Sequence, residues 1–319
     1  MSLCENVRRA AAEVSRRARR VRIDAAALGA LAERLVREAP PTPDYDTAHH
    51  HRGSPSTTLT FNLTLDSINF GSGWFPLLRK PPGLSGYFTV ATGIRRRFDE
   101  KGPWSAAELC EIDEHEMAAV LDQDLGVAEV RELMGLFAGA LRDLGTWLER
   151  RFAGRFEGPV EEAAGSAERL AEILVEMPFY RDVERYDELD VPFYKRAQIV
   201  PSDLALAFGG EGFGNFRDLD RLTIFADNLV PHVLRCERVL VYAPELLARI
   251  DAGELLAAGS PEEVEIRAGG VHATELLVGA IRARGGRTSA RDLDQLLWTR
   301  GQDPRIKAYP RHRTRCTFY

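Results

Sequence analysis

Two short stretches each set a polar group into an otherwise apolar run: Tyr194-Lys195-Arg196-Ala197-Gln198-Ile199 and Leu222-Thr223-Ile224-Phe225-Ala226-Asp227-Asn228. An ionised carboxylate or ammonium withdrawn from water is costly unless it is paired. Asp227 and Lys195 must therefore find each other, another partner or a ligand, which makes them the first candidates for chemistry.

Asp227 stands between Phe225-Ala226 and Leu229-Val230-Pro231. As structure, it caps the helix that Pro231 opens or pairs with a buried arginine. As chemistry, it stabilises a cationic transition state or orients a water. Lys195 falls on a predicted helix, sharing a face with Ile199. It either lays its stem on that face with its head in water, or sits beside an acid, where it binds a phosphate or holds Asp227 ionised. Lysine occurs only at Lys80, Lys101, Lys195 and Lys307. Lysine is also the basic side chain whose protonation responds to burial, so one inside an apolar motif stands out.

A third stretch is Leu65-Asp66-Ser67-Ile68-Asn69-Phe70-Gly71-Ser72-Gly73-Trp74-Phe75. On a helical turn Asp66 and Asn69 point the same way, beside Phe70, Trp74 and Phe75. A carboxylate accepts the donors of a guanine-like edge, an amide reads either kind of group, and an aromatic face covers the ring. The competing reading is an Asx turn over a cluster of core aromatics. His49-His50-His51 lack the helical spacing of a metal site, and His115, His232, His272 and His312 are far apart. No metal and no cofactor are expected. His51 and His232 remain as pocket-lining candidates, with a phosphate contact as one use.

The elements that must hold these residues are mostly helices. From Val130 the apolar positions Leu133, Met134, Phe137, Leu141, Leu144, Trp147 and Leu148 form one stripe, and Leu170, Ile173, Leu174 and Met177 repeat the pattern before Pro178. Helix starts are predicted at Ser105 with Glu108, at Ser260-Pro261 with Glu263, and at Ser289 with Asp292. Thr58-Leu59-Thr60-Phe61-Asn62-Leu63-Thr64-Leu65 alternates as a strand does, and Val239-Leu240-Val241-Tyr242 is a second short strand. The predicted fold is thus mainly α, with at most a small β element near residues 58–65.

Irregular segments are predicted at Pro40 to Pro55, Arg79 to Gly86 and Gly209 to Gly214. The organisation read from them is an N-terminal helical segment 1–39, an irregular loop 40–58 and a helical catalytic region 59–319. One further pattern, a helix ending at Glu263 to Arg267, a turn at Ala268-Gly269-Gly270-Val271 and a helix from His272 to Ile281, is similar to the helix-hairpin-helix of DNA glycosylases. The alternative is an ordinary helix pair joined by glycines.

Composition narrows the function classes. A net charge of -6 argues against a protein whose main task is to grip a nucleic-acid backbone. Arginines from Arg8 to Arg22 lie on a predicted amphipathic helix, where such runs are usually a solvated face. The tail from Arg305 to Arg315 ends in Cys316-Thr317-Phe318-Tyr319, apolar enough to be packed. No run approaches the roughly 20 apolar residues of a membrane span. The four cysteines are scattered without paired spacing, as reduced thiols. The expectation is a cytoplasmic monomer.

Taken in order, Leu65-Asp66-Ser67-Ile68-Asn69-Phe70, Tyr194-Lys195-Arg196-Ala197-Gln198-Ile199, Leu222-Thr223-Ile224-Phe225-Ala226-Asp227, Leu297-Trp298, Arg311-His312-Arg313-Thr314-Arg315 and Phe318-Tyr319 resemble the queuosine salvage protein family. The resemblance runs from about Ala48 to Tyr319. It implies a queuosine 5′-phosphate N-glycosylase that releases queuine from its nucleotide, on an α-helical fold akin to helix-hairpin-helix DNA glycosylases. It also implies a preference for the monophosphate over the nucleoside.

By the resemblance Asp227 takes the place of the catalytic aspartate and Lys195 that of its partner. Asp66, Asn69, Phe70 and Trp74 would form the base pocket, and Asn228, His232 and His51 would line the substrate. The chain departs from the family pattern at Asn228 and His232, where tyrosine and glutamine are usual. The partner implied is a small nucleotide, with no stable nucleic acid and no membrane. Two rival readings share some features: a DNA base glycosylase, which needs a basic face across its hairpin, and a non-catalytic nucleotide- or tRNA-binding protein, which needs no acid at Asp227.

Overall fold

The computed structural model describes residues 1–38 and 44–319; the first part of the proline-rich stretch predicted to be irregular lies outside them. The N-terminal part carries α1 (Leu3–Arg17), β1 (Val21–Ile23) and α2 (Ala25–Arg37). Then come α3 (Pro55–Ser67), α4 (Gly86–Lys101), α5 (Ala106–Glu111), α6 (Glu114–Leu121), α7 (Ala128–Phe152), α8 (Gly158–Ala163) and α9 (Ala167–Leu174). A hairpin of β2 (Val183–Tyr186) and β3 (Leu189–Pro192) leads into α10 (Lys195–Ala207). The remainder is α11 (Val230–Cys236), β4 (Leu240–Tyr242), α12 (Pro244–Asp251), β5 (Leu255–Leu256), α13 (Pro261–Arg282), α14 (Ala290–Arg300), α15 (Pro304–Lys307) and β6 (Arg313–Thr314). The fold is mainly helical, and among the described residues no helix is long and apolar enough to cross a membrane.

The chain divides into two compact units, each assembled from discontinuous segments. One comprises 1–43, 182–198 and 218–315; the other comprises 44–181, 199–217 and 316–319. The first is built on α13, which packs against α1, α2, β1, α11 and α14. Nearly every residue of α13 from Glu263 to Val278 is buried, so this helix is covered by neighbouring elements on almost all sides and its buried charges Glu263, Glu265 and Arg267 must be partnered. β1 pairs antiparallel with β4, Val21 opposite Tyr242, and β5 pairs parallel with β6. The basic helix α1 turns Leu3, Cys4, Val7, Ala11 and Val14 inward and keeps its arginines outside, as its amphipathic pattern predicts.

The second unit centres on α7, whose inward stripe Val130, Leu133, Met134, Phe137, Leu141, Leu144 and Leu148 matches the sequence pattern, and on α3, which packs against α7 and α4. The end of the chain belongs here and is packed: the Gly71 amide donates to the Tyr319 carbonyl at 3.0 Å, and Tyr319 is buried.

Two local expectations are overturned. Residues 58–65 are not a strand but the body of α3, started by Ser54, whose hydroxyl accepts the Thr57 amide, with Pro55 at its first position. All residues from Thr58 to Ser67 are buried, so no solvent face marks the helical period. Two polar side chains of this helix bond back along it instead. Asn62 donates to the Thr58 carbonyl at 2.7 Å and Ser67 to the Leu63 carbonyl at 2.8 Å. The predicted glycine turn at 268–271 is likewise absent, because α13 runs unbroken through it. A Cβ at Gly270 would lie 2.9 Å from Pro231 of α11, so the glycine serves close packing between helices rather than a reversal of the chain.

The other helix starts follow the sequence. Ser105 with Glu108 and Ser289 with Asp292 form reciprocal capping boxes. Ser260 caps the Glu263 amide without the return bond.

Candidate active site

The two polar-in-apolar stretches lie together in one unit, joined through side chains. Gln198, in the first turn of α10, accepts the Thr223 amide at 2.9 Å and donates to the Thr223 hydroxyl at 2.9 Å. The same amide group donates back to the Phe193 carbonyl at 2.9 Å, closing the entry to the helix. Downstream of Thr223 the chain is extended and buried, and its polar backbone is satisfied by long-range partners. The Phe225 amide donates to Asp294 Oδ1 at 2.8 Å, and the Ala226 carbonyl accepts from Arg267 Nε at 2.9 Å.

Arg267 then connects this segment to Lys195. Its guanidinium forms a fork with Asp182, Nη1 to Oδ1 at 3.0 Å and Nη2 to Oδ2 at 2.6 Å, with neither side chain more than 3% exposed. Asp182 Oδ2 also accepts the Lys195 backbone amide at 3.1 Å, standing in for an N-cap at the start of α10. Phe193 covers the guanidinium at 4.0 Å, and Glu263 Oε1 lies 3.6 Å from Nη1. Tyr194, between Phe193 and Lys195, adopts a left-handed backbone with φ of 51°, a conformation a tyrosine holds only where its surroundings impose it. Thus one buried arginine braces both the residue before Asp227 and the carboxylate that starts the helix at Lys195. Lys195 itself is buried, 5% exposed.

Asp227 is half-buried in the turn before α11. Its Oδ1 accepts the amides of Leu229 at 2.7 Å and Val230 at 3.0 Å. Among the described residues Oδ2 takes part in no hydrogen bond or ion pair. The capping reading is therefore correct for one oxygen and leaves the other available. Two bonds from backbone amide donors fix the carboxylate, so the second oxygen points in a defined direction.

Asn228 and His232 hold the turn against the C-terminal segment. Asn228 Nδ2 donates to the His312 carbonyl at 3.2 Å, and Arg235 donates to the Pro310 carbonyl. His232 Nε2 meets the Ile306 carbonyl at 3.1 Å while its Nδ1 faces Arg235. Burial pulls His232 down to about 4, so the ring is neutral, with Nε2 as donor. Arg311, between Pro310 and His312, is held below its ordinary range by burial, opposed by the negative charge of Asp227.

The remaining expected residues lie in the other unit. Asp66 closes the last turn of α3 with 1% exposure; Asn69 is past the helix end, its amide donating to the Asp66 carbonyl at 3.3 Å. The phenols of Tyr45 and Tyr87 are pushed up chiefly by burial and further by the charges of Asp66 and Asp203. Phe70 packs edge-on against Phe137 at 5.1 Å, and Trp74 donates its indole N–H to Glu132 at 2.8 Å. Both rings are set into the core. His51 Nδ1 is 2.7 Å from Asp99, and its ring lies against Phe61 and Phe98. Among the described residues no three His, Cys, Asp or Glu side chains cluster as a metal ion would require.

Asp182, Arg267 and Asp294 carry much of this arrangement, and none stands in an obvious motif; Arg311 lies in one of the stretches that carry the family resemblance. Arg267 had one signal: it sits inside Val264-Glu265-Ile266-Arg267-Ala268-Gly269-Gly270-Val271, where a charge needs a partner.

A family model described as queuosine salvage protein matches residues 49–319. A protein of Sphaerobacter thermophilus named queuosine 5′-phosphate N-glycosylase/hydrolase is 37% identical over 311 residues, covering 96% of this chain and 95% of its own length. Proteins of the same name from Bos taurus and Mus musculus are 32% and 30% identical, each covering 84% of this chain.

Proposed function

The chain belongs to the queuosine salvage protein family, and on that premise we propose that it hydrolyses the N-glycosidic bond of queuosine 5′-phosphate, releasing queuine and ribose 5-phosphate. The observation that carries the reading is Asp227, with one oxygen fixed by two backbone amides and the other open.

Queuine is a 7-deazaguanine, so carbon replaces the purine nitrogen that can be protonated to help a base leave. Leaving-group acid catalysis is then harder, and more of the barrier must be lowered at the sugar, which becomes oxocarbenium-like as the bond breaks. A fixed carboxylate beside C1′ stabilises that cation, and does so more strongly in a poorly hydrated site than in water. Asp227 Oδ2 faces C1′ and then directs a water to it. The base leaves with the electron pair of the glycosidic bond and takes up a proton from solvent, the water's oxygen bonds to C1′, and the proton that the water gives to the carboxylate is returned to solvent.

Lys195 supplies positive charge to the site as the partner of Asp227. Asn228 and His232 supply substrate contacts next to Asp227, and by the family resemblance Asp66, Asn69, Phe70 and Trp74 are the candidates for binding the base, with His51 a further candidate for a substrate contact. The enzyme works as a cytoplasmic monomer on a free nucleotide, without a stable hold on nucleic acid and without metal or cofactor. A fold akin to the helix-hairpin-helix glycosylases belongs to this reading through the family resemblance alone, since α13 runs unbroken through 268–271.

Incubation with queuosine 5′-phosphate, followed by chromatography of the products, is the test. Release of free queuine is expected. Absence of release, with salt-sensitive binding of duplex DNA and excision of a base from it, would replace this reading with that of a DNA glycosylase.

A further inference from the structure

We propose that Arg311 is the anchor for the substrate's 5′-phosphate, a role that rests on the reading of the site as a nucleotide hydrolase. Arg311 is partly buried, yet among the described residues its guanidinium makes no hydrogen bond and no ion pair. Its neighbours in the tail differ. Arg305 pairs with Asp303, and Arg313 donates to the Gly253 carbonyl.

The position of Arg311 is fixed from both sides. Arg235 holds the carbonyl of Pro310 before it, and Asn228 holds the carbonyl of His312 after it. Asn228 follows Asp227 directly, so the bond from Asn228 to His312 ties the turn of the candidate catalytic acid to the backbone next to Arg311. The two charges are near enough for Asp227 to oppose the loss of charge that burial imposes on Arg311, without forming an ion pair.

A guanidinium drawn partly out of water, held by its backbone and left without an acceptor, is arranged to receive one. Its planar fork fits two oxygens of a phosphate, which an ammonium cannot match. The ribose ring sets its C1′ only a short span from its 5′-phosphate, so a phosphate on Arg311 places C1′ in the neighbourhood of Asp227.

The arrangement also gives the phosphate a part in the chemistry. In the unliganded protein the Arg311 charge partly offsets the negative charge of Asp227. A bound phosphate takes over that positive charge, and Asp227 regains its full attraction for a developing sugar cation. Binding energy from a group remote from the reacting bond is thereby expressed in the rate as well as the affinity.

The test measures kcat and KM for queuosine 5′-phosphate and for queuosine, in the wild type and in Arg311→Gln and Arg311→Lys. Arg311→Gln should lower the preference for nucleotide over nucleoside, taken as the ratio of the two kcat/KM values, by about 100-fold, the factor expected for losing two charge-assisted hydrogen bonds. Arg311→Lys should recover part of it. Calorimetric binding of ribose 5-phosphate to the same proteins should weaken in parallel and does not depend on turnover. A ratio that is preserved while both substrates slow equally would place Arg311 in service of Asp227 or the fold and overturn the proposal. Unchanged ribose 5-phosphate binding in Arg311→Gln would also overturn it. Wild-type protein that binds ribose 5-phosphate through Arg311 but releases no base would leave the anchor standing and sink the hydrolase reading instead.

Discussion

Asp182 and Arg267 face each other as a planar fork, and each makes a further bond to one of the two stretches that carry the candidate site: Asp182 to the Lys195 amide, Arg267 to the Ala226 carbonyl. Both side chains are almost wholly shielded from water. Removing one partner strands a buried charge, at a cost of roughly 3–5 kcal/mol. Arg267→Met and Asp182→Asn should each lower the unfolding free energy by about that much in urea titrations. The double variant should lose clearly less than the sum, because the stranded charge is gone. Additive losses would show that the pair is not a unit. Arg267→Lys, which keeps the charge but loses the fork, should lower kcat more than it raises KM.

Asp227 caps the turn before α11 and, in the proposed mechanism, also acts on the sugar; two substitutions separate these roles. Asn retains an oxygen for the Leu229 and Val230 amides, so Asp227→Asn should leave the melting temperature nearly unchanged while kcat falls by about 1000-fold or more, as loss of a charge aimed at a transition state predicts. Asp227→Ala should lose the same activity and in addition about 1 kcal/mol of stability with the cap. Near-normal turnover by the asparagine variant would remove Asp227 from the mechanism.

Glu184 makes stability depend on pH. Its carboxyl is pushed up to about 7, first by burial and then by the negative Glu263, with Asp182 adding to the rise and Arg267 opposing it. The folded-state value is above the ordinary value of 4.5, so the folded protein holds a proton that the unfolded chain releases. That contribution is complete below about pH 4.5 and is lost as pH rises through 7. Glu184→Gln should therefore gain stability on the wild type between pH 5 and pH 8, by about 1–2 kcal/mol after allowance for its partial exposure. Urea midpoints at the two pH values measure it; a difference that stays constant would refute the linkage.

Two glycines of α13 should respond oppositely to alanine. Gly279 is exposed with open space around it, so Gly279→Ala should stabilise by up to about 1 kcal/mol through helix propensity. At Gly270 the new methyl would press on Pro231, and overpacking of about 1–3 kcal/mol outweighs that gain. Calorimetric melting of the two variants should place them on opposite sides of the wild type. If Gly270→Ala proved the more stable, α11 and α13 would have to be less closely fitted than their contact implies.

The candidate residues of the site were easier to read in the sequence than the parts that brace them. Asp227 and Lys195 were visible because a charge in an apolar run is conspicuous locally. Asp182 and Arg267 were not, since their meaning lies in a contact between residues far apart in the chain. The stripe of α7 was legible because one of its faces meets solvent. In α3 and α13 burial is nearly complete, no face remains to set the period, and the alternating threonines of one and the paired glycines of the other pointed to a strand and a turn.

Between Thr223 and Asp227 the chain is fastened at Thr223 to Gln198, at Phe225 to Asp294 and at Ala226 to Arg267. A codon gained or lost within that interval would pull at least one of these fastenings out of register and shift the acid that follows. Length variation among related genes should accordingly gather in surface loops such as Arg79 to Gly86 and leave this interval at constant length.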